Sequence, residues 1–495
     1  MDREAGDKRS NEQGRAVFFW GTVTALSIGL LAFSQTGVWI DDEAFHLVAA
    51  QQINAGKRPY LDFFYPQTPL YAYLNAGCMR VFGESWRTAH ALSALLTSAC
   101  IMLAGGFVFS RLREPGWRVA SGITAALLIG LSYKVIRFGT IGQAYGLCLF
   151  LIVAAFRLTV EAVRRPGAFL PAAAGLCAGA AAGSSLLSAP TAPILLLWMH
   201  RYNRSGNRLR KCAWFLLAAI PFLPVAWLAA KAPRQVAFNV VEYHLFHRRV
   251  GRDYNIPLED IKVLAEWLNS TQGLLLALLA AVGLLFLARR REWHEWKAEL
   301  YLCAWLTAGL GVYLATPHPT FAQYFILLIP FLSILASVGV YAIGSRVLVS
   351  GRPSLLVIPV IGLFFLGLAK TAFQNRRFLS SSWPGFEEVG RTINQITPRD
   401  GLVYGPEAIY FAARRLPLSG LGHADAQKLR LPPAFAASLH VAPAPQVDEW
   451  LAAGRFDTVV IRPKDDRIES LGLSRLYTRR MTVHTYEIFW GRAVR

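Results

Sequence analysis

Three acids stand in a row at Asp41, Asp42 and Glu43, within the stretch IDDEAFH that follows a long apolar run. Carboxylates placed close together and partly buried at a membrane surface have raised pKa values. A carboxylate so placed can act as a general base, taking a proton from a hydroxyl or amine acceptor. Asp41 and Asp42 could instead hold a divalent metal. A plainer reading also stands: acids at the start of a helix favour its positive end.

A second set of residues is basic. His244, His247, Arg248, Arg249 and Arg252 fall in VEYHLFHRRVGRDYN, and Lys134 and Arg137 fall in YKVIRFG. The planar fork of arginine donates two hydrogen bonds to a phosphate at once. Lys134, Arg137, His244, Arg248 and Arg249 are therefore candidate ligands for a lipid-linked phosphate or diphosphate. Contact with anionic lipid headgroups is the alternative. His244 and His247 have the spacing of two metal ligands on one helix face. No third or fourth ligand accompanies them, so no zinc site is assigned. Tyr65 and Gln67, in KRPYLDFFYPQTPL, are candidate substrate contacts. So are His318 and Tyr324 in TPHPTFAQYF, where a helix-capping or buried structural role is equally open.

These residues need elements to hold them. The chain has 495 residues and is 54% hydrophobic, too apolar for an ordinary soluble protein. A membrane span takes about 20 apolar residues. Runs of that kind occupy 17–36, 88–110, 119–133, 138–157, 213–231, 272–289, 299–315, 321–344 and 354–372, and 168–200 reads as two short spans. The expected fold is thus a polytopic α-helical membrane protein of about eleven helices. The first run, with no A-x-A site after it, is expected to be an uncleaved anchor.

The formal charge of +20 does not point to nucleic acid, because the cations gather at alternate loops. Arg3, Lys8, Arg9 and Arg15 precede the first run; Arg111, Arg113 and Arg118, then Arg157, Arg164 and Arg165, then Arg201 to Lys211, then Arg289 to Lys297 follow. That is the positive-inside pattern, and it places residues 1–16 in the cytoplasm. The acids and the basic candidates then face outward. So do a long first loop at 37–87 and a tail at 373–495. In the tail GLVYG, FDTVVIR and HTYEIFW read as strands. PGFEEVGRTINQI, PEAIYFAARR and PQVDEWLAAG read as helices. A small extracytoplasmic α/β domain is expected there, after the membrane domain at 17–372. Six cysteines, none in the tail, imply no disulfide framework.

With these features in place, the chain resembles the membrane-embedded glycosyltransferases of the GT-C superfamily. The similarity is to the branch of the protein O-mannosyltransferases and bacterial lipid A aminoarabinose transferases. Asp42-Glu43 stands where that branch has an Asp-Glu pair after the first span. AAQQINAGKRPYLDFFYPQTPLYAYLNAGCMRVFGESWRTAHALSALL (49–96) and HPTFAQYFILLIPFLSILA (318–336) are similar to its motifs. The resemblance implies a polyprenyl-phosphate sugar as donor and a glycan, lipid or protein as acceptor. It also implies transfer with inversion on the outer face of a bacterial inner membrane, with Asp42 as base and Asp41 and Glu43 supporting it. One departure matters. Pro66-Gln67-Thr68-Pro69-Leu70 replaces the Glu-Lys-Pro-Pro-Leu of the aminoarabinose transferases, which argues against that substrate.

Two other classes compete. A flippase or transporter for a lipid-linked glycan should carry ionisable residues in mid-span and repeated halves. The spans here are nearly free of charge and no repeat is visible. A non-catalytic membrane scaffold predicts no dependence on Asp42.

Overall fold

The computed structural model describes residues 2–39, 41–112, 114–220, 223–248, 256–289, 294–316, 319–348, 352–376 and 382–492. It divides into two compact units. The first contains Met1–Gln35, His90–Phe222 and Tyr254–Arg377; the second contains Thr36–Ala89, Leu223–Asp253 and Phe378–Arg495.

Six helices among the described residues are long and apolar enough to cross a membrane: Gln13–Ser34, Trp86–Arg111, Tyr145–Arg164, Thr271–Arg289, Ala322–Val347 and Ser354–Gln374. Gly116–Gly130 and Phe169–Ser184 are shorter apolar helices.

The first unit packs through small residues. A Cβ on Gly283 would strike the Leu335 carbonyl oxygen, and one on Gly339 would strike that of Leu279. The backbones of Thr271–Arg289 and Ile329–Val347 therefore approach as closely as glycine allows, the device membrane helices use where no hydrophobic gradient drives association. One buried carboxylate in this unit, Glu299, is paired with two arginines. Arg111 donates to Glu299 at 2.9 Å and to Glu161 at 3.1 Å, and Arg164 also pairs with Glu299. The guanidinium groups of Arg111 and Arg164 both lie over the Trp296 ring, 4.5 and 4.4 Å from its centre.

Some expected spans begin or break elsewhere. The run at 138–157 becomes a helix only from Tyr145 to Arg164. Before it, residues 139–144 form bends and a turn, and the Thr140 hydroxyl bonds back to the Ile136 carbonyl at 2.6 Å. The run at 213–231 contains two helices, Arg208–Ala219 and Leu223–Lys231. Pro221 and Pro224 each lack the amide hydrogen that a continuous helix needs. In the run at 321–344, Ala322–Leu328 is a 3-10 helix and the α-helix starts at Ile329, with Pro330 in its first turn.

The second unit holds the helix Asp41–Asn54, which carries the three acids. It ends near Gly56, whose φ is +85°. Lys57 N–H bonds to the Gln52 carbonyl and Gly56 N–H to that of Ile53, a C-terminal cap that needs a left-handed residue at this point. The helix Leu70–Phe82 packs against it. After 382, the helix Trp383–Ile396 turns Trp383, Phe386, Val389 and Ile393 inward at helical spacing. A four-stranded sheet follows: β1 (Val403–Tyr404), β2 (Thr458–Ile461), β3 (Tyr477–Val483) and β4 (Tyr486–Arg492). Its order is β1-β2-β4-β3, parallel between β1 and β2 and antiparallel elsewhere. The core of the sheet continues into the acid-bearing helix. Ala44, Leu47, Val48, Met79 and Trp86 share one buried cluster with Trp383, Phe411, Val460 and Phe489.

Candidate active site

Burial separates the acids. Asp42 is exposed, whereas Glu43 is fully buried; the side chain of Asp41 lies outside the described residues. A helix turns about 100° per residue, so neighbours point apart and residues four apart share a face. Asp42 therefore shares its face with His46, one turn on.

His46 is buried, and its Nδ1 lies 2.8 Å from the Tyr65 hydroxyl. Burial, and then the neighbouring His423, lower its pKa to about 3. Tyr65 is pinned at its other end, where its backbone N–H donates to Asn239 Oδ1 at 2.9 Å. Asn239 belongs to a π-helix, Phe238–His247, and donates to the Gln235 carbonyl at 2.9 Å. The same π-helix presents His244, whose Nε2 donates to the Pro66 carbonyl at 2.8 Å. Burial, and then Arg248, lower the His244 pKa to about 4. The loop 60–67 is thereby held at Tyr65 and Pro66. It carries a strained residue, Tyr60 at φ +67°, whose hydroxyl donates to the Gln67 carbonyl at 2.5 Å.

The C-terminal segment reaches this helix too. The His423 ring stacks on Phe45 at 4.9 Å and on Phe64 at 5.8 Å, and its Nδ1 is 3.5 Å from Glu407. Trp383 donates its indole N–H to Glu43 at 3.1 Å.

The expected site residues fall in both units. Asp42, Glu43, Tyr65, Gln67, His244 and Arg248 lie in the second, which also brings Tyr65, His244 and the Asp42 helix into one bonded framework. Lys134, Arg137 and Tyr324 lie in the first. Lys134 and Arg137 occupy the short helix Tyr133–Phe138, three residues apart and so on neighbouring faces. Arg137 donates to the Tyr133 hydroxyl at 2.6 Å. Burial, and then Arg137, lower the Lys134 pKa to about 8. Tyr324 is buried in the 3-10 helix, edge-on to Phe321. Arg249, Arg252 and His318 lie outside the described residues. Among the described residues no group of three or more His, Cys, Asp or Glu side chains is placed to hold a metal ion.

His46, Asn239, Trp383, Glu407 and His423 are parts of the framework that the sequence reading did not single out. Only His46 had a signal, its position four residues after Asp42.

No family model matches the chain, and no curated protein matches it. Solved structures do. The ArnT of Cupriavidus metallidurans bound to undecaprenyl phosphate aligns with a TM-score of 0.66 at 12% identity, over 96% of this chain and 98% of that one. Its apo structure aligns at 0.65 and 14%, with the same coverage. The oligosaccharyltransferase of Archaeoglobus fulgidus in its apo form aligns at 0.53 and 12%, over 90% of this chain and 70% of that one. The chain thus shares the fold of these solved structures.

Proposed function

We propose that this chain is an inverting glycosyltransferase that moves a sugar from a polyprenyl-phosphate donor to an acceptor on the outer face of a bacterial inner membrane. The observation that carries the reading is the exposed carboxylate of Asp42. It stands at the start of a helix whose following residues are buried, in a chain with the fold of an ArnT that binds undecaprenyl phosphate. Asp42 takes the proton of the acceptor hydroxyl or amine. The acceptor atom attacks the anomeric carbon, the bond from that carbon to the phosphate oxygen breaks, and polyprenyl phosphate leaves. One displacement inverts the centre. A hexose or a pentose fits this scheme equally.

Charge develops on the leaving phosphate, and fixed cations stabilise it. That role is proposed for Lys134, Arg137, Arg248 and Arg249. His244 and Tyr65 are assigned instead to bracing the 60–67 loop. A neutral imidazole has one N–H, and that of His244 is given to Pro66; the Tyr65 hydroxyl is bonded to His46. Gln67, His318 and Tyr324 remain the proposed acceptor or sugar contacts. About eleven spans, a cytoplasmic N-terminus and an extracytoplasmic C-terminal α/β domain from 373 complete the proposal.

The test is reconstitution of the purified chain with a panel of undecaprenyl-phosphate pentoses and hexoses, measuring release of undecaprenyl phosphate. Asp42→Asn is expected to lower kcat by about 100-fold or more, the range for a lost general base. Wild-type turnover by that variant overturns the assignment of the base.

A further inference from the structure

The chain just before Asp42 is clasped by the segment just after 381. Val38 pairs with Ser382 in an isolated bridge, and Trp383 N–H donates to the Gly37 carbonyl at 2.9 Å. Gly37 has φ +78°, and a Cβ there would meet the Pro384 ring at 2.8 Å, so the approach is open to glycine alone. Two indoles then exchange hydrogen bonds with two carboxylates in opposite directions. Trp383 donates to Glu43 at 3.1 Å, and Trp86 donates to Glu387 at 2.8 Å. The two indole planes are nearly parallel, 10° apart with centres 6.4 Å apart. Arg87 closes the outer end, bonding Glu387 at 2.6 Å and covering the Trp86 ring at 4.3 Å.

Glu43 and Trp383 are both fully buried. A buried carboxylate that accepts a hydrogen bond from a rigid, immobilised ring holds its backbone in one place. Glu43 is the next residue after Asp42 in the first turn of the helix, so fixing its side chain fixes the direction in which Asp42 projects. A base misplaced by about an ångström loses most of its effect, up to about 100-fold.

We propose that Trp383 is a positioning residue for Asp42: through its bond to Glu43 the C-terminal segment aims the base at the acceptor. This rests on the reading of Asp42 as the base. It gives the C-terminal segment a part in the chemistry, and it assigns Glu43 to the clasp and not to a substrate.

The test uses the full-length chain and the same donor panel, with Asp42→Asn measured alongside. Trp383→Phe keeps an aromatic ring and removes the donor. It is expected to lower kcat about tenfold or more while the donor KM stays within about twofold, and to move the acidic limb of the kcat–pH profile, which reports the base. Glu43→Gln keeps an acceptor oxygen for the indole. It is expected to retain about a tenth or more of the wild-type kcat, and Trp383→Phe added to it should cost less than it does in the wild type. An inactive Asp42→Asn beside an unaltered kcat and pH profile in Trp383→Phe overturns the positioning role and leaves the base intact. A fully active Asp42→Asn removes the base and the positioning role together. Should Trp383→Phe not fold, Glu43→Gln decides: a variant as inactive as Asp42→Asn means that Glu43 acts on substrate directly and overturns the proposal, and retained turnover supports it.

Discussion

The Nδ1 of His46 and the hydroxyl of Tyr65 lie 2.8 Å apart in a site from which both residues exclude solvent. This bond ties the helix that carries Asp42 to the loop 60–67. Through the Tyr65 amide and Asn239 it continues into the π-helix. It is a framework contact one turn below the proposed base, and its chemistry makes it sensitive to pH.

In the folded chain His46 titrates at about 3, against 6.5 for the free side chain. Between those values the unfolded chain binds a proton that the folded chain does not. The contribution of His46 to stability is complete above about pH 6.5 and is lost progressively as pH falls toward 3, at a slope of up to about 1.4 kcal/mol per unit. His244, held at about 4, acts with the same sign. The thermal midpoint of the detergent-solubilised chain is expected to fall from pH 7 to pH 5. In His46→Gln, which does not titrate, the decline should be shallower. An equal slope in both would exclude His46 as a source.

Removing the hydroxyl tests the bond directly. Tyr65→Phe keeps the buried ring and leaves the imidazole without this partner, at a cost of about 1–2 kcal/mol. Asn239→Leu removes the acceptor of the Tyr65 amide and the donor to Gln235, and should cost more, about 2–3 kcal/mol. Unfolding in graded denaturant reads both. A Tyr65→Phe chain as stable as the wild type would show that the hydroxyl is not needed there.

Much of this was legible in the sequence, for reasons that differ by element. Apolar runs announce membrane helices because length and composition suffice, and Thr271–Arg289 and Ser354–Gln374 match the runs at 272–289 and 354–372 within a few residues. The helix Asp41–Asn54 and its stop at Gly56 were legible because a left-handed cap is a local requirement. β3 was not. Its residues YTRRMTV are buried only at Tyr477 and Val483, so it lacks the alternation that marks a strand with one face inside. The clasp was equally hidden. Glu43 and Trp383 are 340 positions apart, and nothing local to either residue foretells the other. Burial told Asp42 from Glu43, which residue type could not.

The glycine contact in the first unit gives a stability prediction of another kind. Gly339→Ala places a methyl group against the backbone carbonyl of Leu279, where no flexible side chain can give way. The two helices must separate, at a cost of about 1–3 kcal/mol typical of overpacking. Gly362, with nothing within 4 Å of its would-be Cβ, is the control. Alanine there should be neutral or slightly stabilising, since it favours the helix. Thermal unfolding in one detergent compares the pair, and equal midpoints would contradict the close approach.

Lys134 ties the proposed phosphate site to pH. Its pKa is lowered to about 8, first by burial and then by Arg137 three residues on. Below that value the group is an ammonium and can pair with the donor phosphate; above it the charge is lost while arginines keep theirs. The donor KM is therefore expected to rise as pH passes from 7.5 to 9. Lys134→Arg, which holds its charge throughout, should flatten the rise, even if the longer fork weakens binding overall. Lys134→Met should raise the KM about tenfold at pH 7 and abolish the pH dependence, since a hydrogen bond to a charged group contributes about 1.5–3 kcal/mol. The kcat of Lys134→Met should fall as well if the ammonium also meets the charge that develops on the leaving phosphate. A KM that rises with pH as steeply in Lys134→Met as in the wild type would assign the titration to another group and remove Lys134 from the phosphate site.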